Sequence, residues 1–293
     1  MSVLVASERT APRESLCHFV VIAAERTIVR LAIGREGSAG HGVGHFRIRF
    51  PAGLRVCCAH SEGVALPGPG SAMEFGYFLN QNNLGLDKPF DRVIAEGRDI
   101  AQYCDRTGWH SIWNTEHHFG HEGLEVCPNP VMMSTDLAAR TERIRIGQAA
   151  NIITFRHPIQ LAEDLAMLDQ MSEGRLEVGV GRGVYPRETV NMNPTADVRN
   201  PEVNRALFAE TLEVMKRCWT EEFFSFKGEF FQFPVPGVSF SHAMSPPRPE
   251  NTDSGTGDIT ALAVVPKPFQ RPRPPLWQVV DTPPSIDFAA RNA

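Results

Sequence analysis

Glu116-His117-His118 places a carboxylate beside two imidazoles, three proton-handling groups in consecutive positions. Histidine changes charge near neutral pH, and a neighbouring carboxylate can bias that change. The run ends Trp109-His110-Ser111-Ile112-Trp113, a segment that reads as a strand with Trp109 and Trp113 on one face. A glycine-bearing loop follows. In β/α architectures chemistry sits at such strand ends, because rigid strands hold the side chains that loops then enclose. The triplet therefore predicts a site. The plain alternatives are a hydrogen-bonded core histidine at 117 and a buried Glu116 paired with an arginine. The wider set His117, His118, His121 and Glu122 could suggest a metal, but it is not HExxH. Strand alternation also sends His117 and His118 to opposite faces, so no metal site is expected.

The elements that must position this run alternate between strand and helix from Met73 onward. Residues 74–79 read as a strand, and Asp87-Lys88-Pro89 opens a helix with Phe90, Val93, Ile94, Ile100, Ala101 and Cys104 at helical spacing. Asn129-Pro130 supplies an N-cap and a first-turn proline for a helix to about residue 140. Residues 143–153 are strand-like. Pro158 begins a helix carrying Leu161, Leu165 and Leu168 on one face, stopped by Gly174. Residues 175–181 read as a strand, and Asn200-Pro201 starts a helix that spaces Phe208, Leu212, Met215 and Trp219 for burial. A hairpin is expected at 223–233 and a Pro/Ser/Gly-rich surface loop at 234–263. A last strand at 276–280 runs into Asp281-Thr282-Pro283-Pro284-Ser285 and a further helix. This alternation predicts an α/β fold with a parallel sheet or barrel. A (β/α)8 TIM barrel needs eight strands in about 250 residues. About five of the eight βα units are legible here, so an incomplete barrel domain is expected over residues 73–293.

Residues 1–72 read differently. They lack Trp, Tyr and Lys, are rich in Arg and Gly, and end in Pro67-Gly68-Pro69-Gly70-Ser71. They are expected to be a poorly ordered N-terminal extension, with a hairpin conceivable at 19–24 and 28–33, and Met73 offers an alternative start. The arginines raise the reading of a targeting peptide, and the glutamates count against it. Overall, 42% hydrophobic and 22% charged residues are ordinary for a soluble globular protein. A net charge of -5 without a Lys/Arg cluster argues against nucleic-acid binding. No apolar run approaches the roughly 20 residues that span a bilayer. The 6 cysteines show no zinc spacing and fit reduced thiols, so a cytoplasmic location is expected.

In order along the chain, the motifs Phe75-Gly76-Tyr77-Phe78-Leu79, Glu116-His117-His118-Phe119, Ile146-Gly147-Gln148-Ala149-Ala150, His157-Pro158, Ala162-Glu163-Asp164, residues 168–175 and Gly179-Val180-Gly181-Arg182-Gly183 resemble the bacterial luciferase-like flavin monooxygenases. The resemblance runs from Met73 to the C-terminus. It implies a TIM-barrel enzyme in which reduced flavin mononucleotide (FMN), supplied by a separate flavin reductase, reacts with dioxygen. The resulting C4a-hydroperoxyflavin then oxygenates a small organic substrate such as an aldehyde. It points to His117 rather than His118 as the catalytic proton acceptor or donor, with Glu116 orienting or polarising the site. Gly179 to Gly183 fails the dinucleotide fingerprint because Val184 holds the third glycine position. A close approach of backbone to the flavin fits better there, at Gly181, with Arg182 on the flavin phosphate.

By the same resemblance Thr282 and Ser285 complete the phosphate site, although N-capping alone would also explain them. Asp281 lies beside them. Ala149-Ala150 matches a position where a non-proline cis peptide underlies the isoalloxazine ring. Glu188 and Arg205 match polar positions near the flavin, and Glu163 matches a residue at the subunit interface of dimeric members, so a homo- or hetero-dimer is expected. Two other readings stand beside this one. One is a deazaflavin-dependent oxidoreductase of the same fold. The other is a truncated, catalytically silent flavin-binding paralogue or partner subunit, which the absent strands would favour through an exposed sheet edge.

Overall fold

The structure is a computed structural model that describes residues 3–6, 75–280 and 283–292. Strand β1 (Val3–Ala6) is followed, beyond residues outside that set, by β2 (Gly76–Leu79), α1 (Phe90–Thr107) and β3 (Ser111–Asn114). Next come α2 (Pro130–Ala138), β4 (Arg145–Gln148), β5 (Asn151–Ile152), α3 (Pro158–Met171) and β6 (Leu176–Gly181). The chain continues through α4 (Pro186–Met192), α5 (Pro201–Thr220), the hairpin β7 (Phe226–Lys227) and β8 (Gln232–Phe233), β9 (Leu276–Val280) and α6 (Pro283–Asn292). The main sheet has the order β1-β9-β6-β4-β3-β2, with β5 pairing β6. From β2 to β9 every pairing is parallel, and spatial order follows chain order. That is the progression of a TIM barrel wall, each strand returning through a helix.

The strand expected over 143–153 is two strands, β4 and β5, divided at Ala149-Ala150, whose peptide bond is cis. Helix α4 was not expected at all; it starts at Pro186, a proline in the first turn. Within the segment expected to be an extension, Val3–Ala6 pairs antiparallel with β9 as an edge strand. The remainder of residues 1–72, including the possible hairpin at 19–24 and 28–33, lies outside the described residues.

Alternation along the strands splits two layers. Ile112, Ile146, Leu176, Val178 and Leu276 join Leu137, Leu161, Leu165 and Phe208 in the core between sheet and helices. The opposite parity points inside the barrel wall. There Trp113 meets Trp277 edge-on at 5.4 Å, the Trp277 Nε1–H donates to Glu177, and Arg145 pairs with Glu177. Trp109 and Trp113 do not share a face. The strand begins only at Ser111, and Trp109 instead packs edge-on against Tyr77 on the helix side, 5.8 Å between ring centres.

The sheet is tightest where β6 passes β4. A Cβ on Gly179 would lie 1.7 Å from the Gln148 carbonyl oxygen, so only glycine lets the two strands approach there. The close approach expected between this glycine run and a flavin is, at Gly179, an approach of strand to strand.

Candidate active site

The C-terminal strand ends lie together at one rim, because the register sets Leu79 beside Asn114 and Asn114 beside Gln148. The loops leaving β2 and β3 are fastened to each other. Asn83 N–H donates to the Gly123 carbonyl at 2.7 Å, Val126 N–H to Gln81 O at 2.9 Å, and Gly85 N–H to Glu122 O at 3.2 Å. Gly123 sits at φ 80°, and a Cβ there would fall 1.8 Å from Asn83 O, so this loop contact also requires glycine. The effect is to bring Glu125 over the end of β3.

His117 is held from both sides. Its Nε2 lies 2.5 Å from Glu125 Oε2, and its Nδ1 lies 3.2 Å from Glu188 Oε1. The same Glu188 oxygen accepts from the His118 backbone N–H at 3.1 Å. Burial alone would push the imidazolium down, but hydrogen bonds and charge from Glu125 and Glu188 override it and raise its pKa to about 9. At neutral pH the ring is therefore a cation between two carboxylates. It faces a cavity of about 420 Å³ lined also by Leu124, Tyr185, Pro186 and the Arg187–Glu122 pair. Arg187 holds the Glu122 carboxyl down at about 2.

Glu116 does not reach that ring. It is buried, with Oε1 3.1 Å from His118 Nε2 and 3.2 Å from Arg156 Nη2, while Oε2 accepts from Ile152 N–H at 2.8 Å. The geometry is that of a buried carboxylate paired with an arginine, tying the end of β3 to β5. His118 lies with it between the rings of Phe119 and Phe155. The two histidines thus serve different carboxylates.

A second group converges at the ends of β6 and β9. Arg182, Arg205, Gln278 and Ser285 line one narrow cleft closed by Phe208 and Phe288. The Arg182 guanidinium donates to Asn204 Oδ1 at 2.9 Å, and Asn204 Nδ2 donates back to Arg182 O at 3.2 Å and to Ala196 O at 2.7 Å. Gly181 ends β6 beside this cleft, and Ala150, buried, lies across from it with its Cβ 3.4 Å from where a Gly181 Cβ would be. Asp281 and Thr282 lie outside the described residues.

Residues expected in one flavin set therefore fall in two places. Arg182, Arg205 and Ser285 share the cleft, whereas Glu188 belongs with His117. Sequence reading passed over Glu125 and Asn204. Glu125 carried no signal, since its role depends on loop docking. Asn204 did: it falls one turn before Phe208 on the apolar face of α5, where a polar residue calls for a partner.

The rim also carries buried side-chain oxygens with no hydrogen-bond partner among the described residues, namely Asn80 Oδ1, Gln81 Oε1, Asn114 Oδ1, Thr115 Oγ1 and Asn151 Oδ1. Such atoms are costly unless something satisfies them. Unpaired acceptors at the strand ends, on the rim that also carries the Arg182 cleft, suit a ligand with a hydrogen-bonding ring edge and an anionic tail, which is the chemistry of a flavin nucleotide.

The parallel strands from β2 to β9, each returning through helices, place the chain in the TIM-barrel fold class. The model of the luciferase-like monooxygenase family matches residues 73–293, and the chain belongs to that family. It is 30% identical over 220 residues to the oxygenase component of a flavin-dependent trigonelline monooxygenase from Acinetobacter baylyi, covering 75% of this chain and 52% of that one. It is 31% identical over 163 residues to an alkanal monooxygenase beta chain from Photorhabdus luminescens, covering 55% and 48%. Among solved structures, monooxygenase RslO1 from Streptomyces bottropensis aligns with a TM-score of 0.55 and 31% identity, over 70% of this chain and 52% of that one. The chain spans about half the length of these relatives. Among the described residues, no helix is long and apolar enough to cross a membrane.

Proposed function

We propose that the protein is a flavin-dependent monooxygenase that takes reduced FMN from a separate reductase and oxygenates a small organic substrate such as an aldehyde. One observation carries the reading: His117, clamped between Glu125 and Glu188, opens onto a cavity of about 420 Å³ on the same rim as the Arg182 cleft. Bound reduced flavin supplies the activation of dioxygen. Arg182 and Ser285, with Arg205 beside them and Thr282 shortly before Ser285 in the chain, hold the phosphate. Ala149, Ala150 and Gly181 offer a flat backbone surface for the ring. His117 manages the proton at the reacting end, and Leu124, Tyr185 and Pro186 keep water from it.

The Acinetobacter baylyi relative's name as an oxygenase component supports a partner reductase, and the alpha and beta chains of alkanal monooxygenase support a dimer. Relatives named as flavin-dependent favour flavin over deazaflavin. Buried unpaired Cys104, Cys127 and Cys218 are consistent with the cytoplasm. The test supplies reduced FMN and ¹⁸O₂ with a panel of aldehydes and other small apolar compounds. One labelled oxygen in a product supports the proposal. Oxidation without label, or turnover with reduced deazaflavin alone, defeats it.

A further inference from the structure

Glu125 is held more firmly than a loop glutamate needs to be. Its backbone lies at φ 52°, a left-handed conformation that a residue with a side chain adopts at a cost. Its N–H donates to Asn82 Oδ1 at 2.9 Å, its Oε1 accepts from Asn80 Nδ2 at 3.0 Å, and the next residue is bonded to Gln81 O. Three consecutive residues leaving β2 therefore fix one carboxylate, and its other oxygen is the one on His117 Nε2. Strain of this kind persists where the surroundings over-determine it, and it concentrates at functional sites.

We propose that Glu125, fixed by Asn80 and Asn82, is the positioning residue for His117, holding Nε2 so that the ring enters the reaction as a proton donor rather than as a base. Other groups face the ring without taking this part. Glu188 reaches it from α4 on the opposite nitrogen, and Tyr185 stands 5.7 Å away, ring centre to ring centre. Arg187 and Glu122 neutralise each other across the cavity, and Glu116 is taken up by His118 and Arg156 behind it. Glu188 alone offers one carboxylate oxygen that is shared with the His118 N–H. Removing Glu125 leaves the imidazolium half-compensated in a largely buried place, where burial favours the neutral ring. The proton that the charged ring gives up passes to the oxygen on which negative charge develops, leaving a neutral imidazole. That imidazole is reprotonated from solvent once product leaves, and the Glu125 carboxylate favours the reprotonated state. No oxidant or reductant enters this step.

The donor role rests on the monooxygenase reading, but the positioning claim can be tested without flavin. The ring of His117 is followed by NMR across pH 5 to 10.5 in the wild type, Glu125→Gln and Glu125→Gly, with His117→Gln assigning the signal. The wild-type midpoint is expected at about 9. Both variants should fall by about one unit or more toward the ordinary histidine value. Glu125→Gly also relieves the left-handed backbone, which offsets part of the lost side-chain contacts and keeps the test open if Glu125→Gln does not fold. Asn80→Ala should shift the midpoint the same way by less. Midpoints in the folded variants within about 0.3 unit of wild type would overturn the proposal whether or not the protein proves to be a monooxygenase. Shifted midpoints with no oxygenation would leave Glu125 in its role and refute only the enzymatic reading.

Discussion

Replacing His117 by alanine should lower oxygenation by about 10²–10⁴-fold, the range for removing a positioned proton-transfer group. Flavin affinity should change little, because the ring lies with Glu125 and Glu188 and not with the Arg182 cleft. The split follows from the layout of the rim. Two carboxylates are left behind in His117→Ala, however, and their mutual repulsion will loosen the β3–α2 loop. His117→Gln, which retains a donor toward one of them, is the cleaner comparison. Product formation and flavin binding should be measured on both variants. A parallel loss of binding and turnover would place His117 in the flavin site proper.

Gly179→Ala should have a large structural effect for a single added methyl. The added Cβ would lie 1.7 Å from the Gln148 carbonyl oxygen and 3.8 Å from the Ala149 Cα, both main-chain atoms of the adjoining strand segment. Backbone has no rotamer by which to step aside, so β4 and β6 must separate. Overpacking costs typically 1–3 kcal/mol, and a clash with backbone belongs at or above the upper end, about 3 kcal/mol. At about 2–4 °C per kcal/mol for a domain of this size, the unfolding midpoint should drop by roughly 6–12 °C. The same shift moves Ala149 and Ala150, so ligand binding at the rim should weaken with it. A midpoint within about 2 °C of the wild type would mean that the strands do not approach as described.

Much of the fold was legible because its signals are local. Prolines at helix starts, as at Pro130, Pro158 and Pro201, marked α2, α3 and α5, and the spacing of Leu161, Leu165 and Leu168 marked a buried face. The same signal at Pro186 went unread, since α4 is short and carries no apolar stripe. The face assignment of Trp109 and Trp113 failed because period-2 reasoning holds only inside a strand, and Trp109 precedes it.

The site divided along the same line. His117, Arg182 and Ser285 could be picked out because they lie in or beside strand-end motifs. The pairing of His117 with Glu125 and Glu188 could not, since Glu125 lies on the loop after β3 and Glu188 on α4, and both meet the ring only after folding. Glu116 was adjacent in sequence and took a different partner. Adjacency along an extended chain separates side chains as readily as it joins them.

The central claim is that the rim binds a flavin nucleotide with its phosphate at the Arg182 cleft. The dissociation constants of reduced FMN and reduced riboflavin, measured anaerobically for the wild type and for Arg182→Ala, test it most directly. The two ligands differ only in the phosphate. A charge-assisted contact of about 1.5–3 kcal/mol predicts that wild type binds FMN about tenfold to a hundredfold more tightly than riboflavin. Arg182→Ala should remove most of that preference while leaving riboflavin affinity unchanged. Equal affinity of the wild type for both ligands, or a preference that survives in Arg182→Ala, would contradict this account of the site.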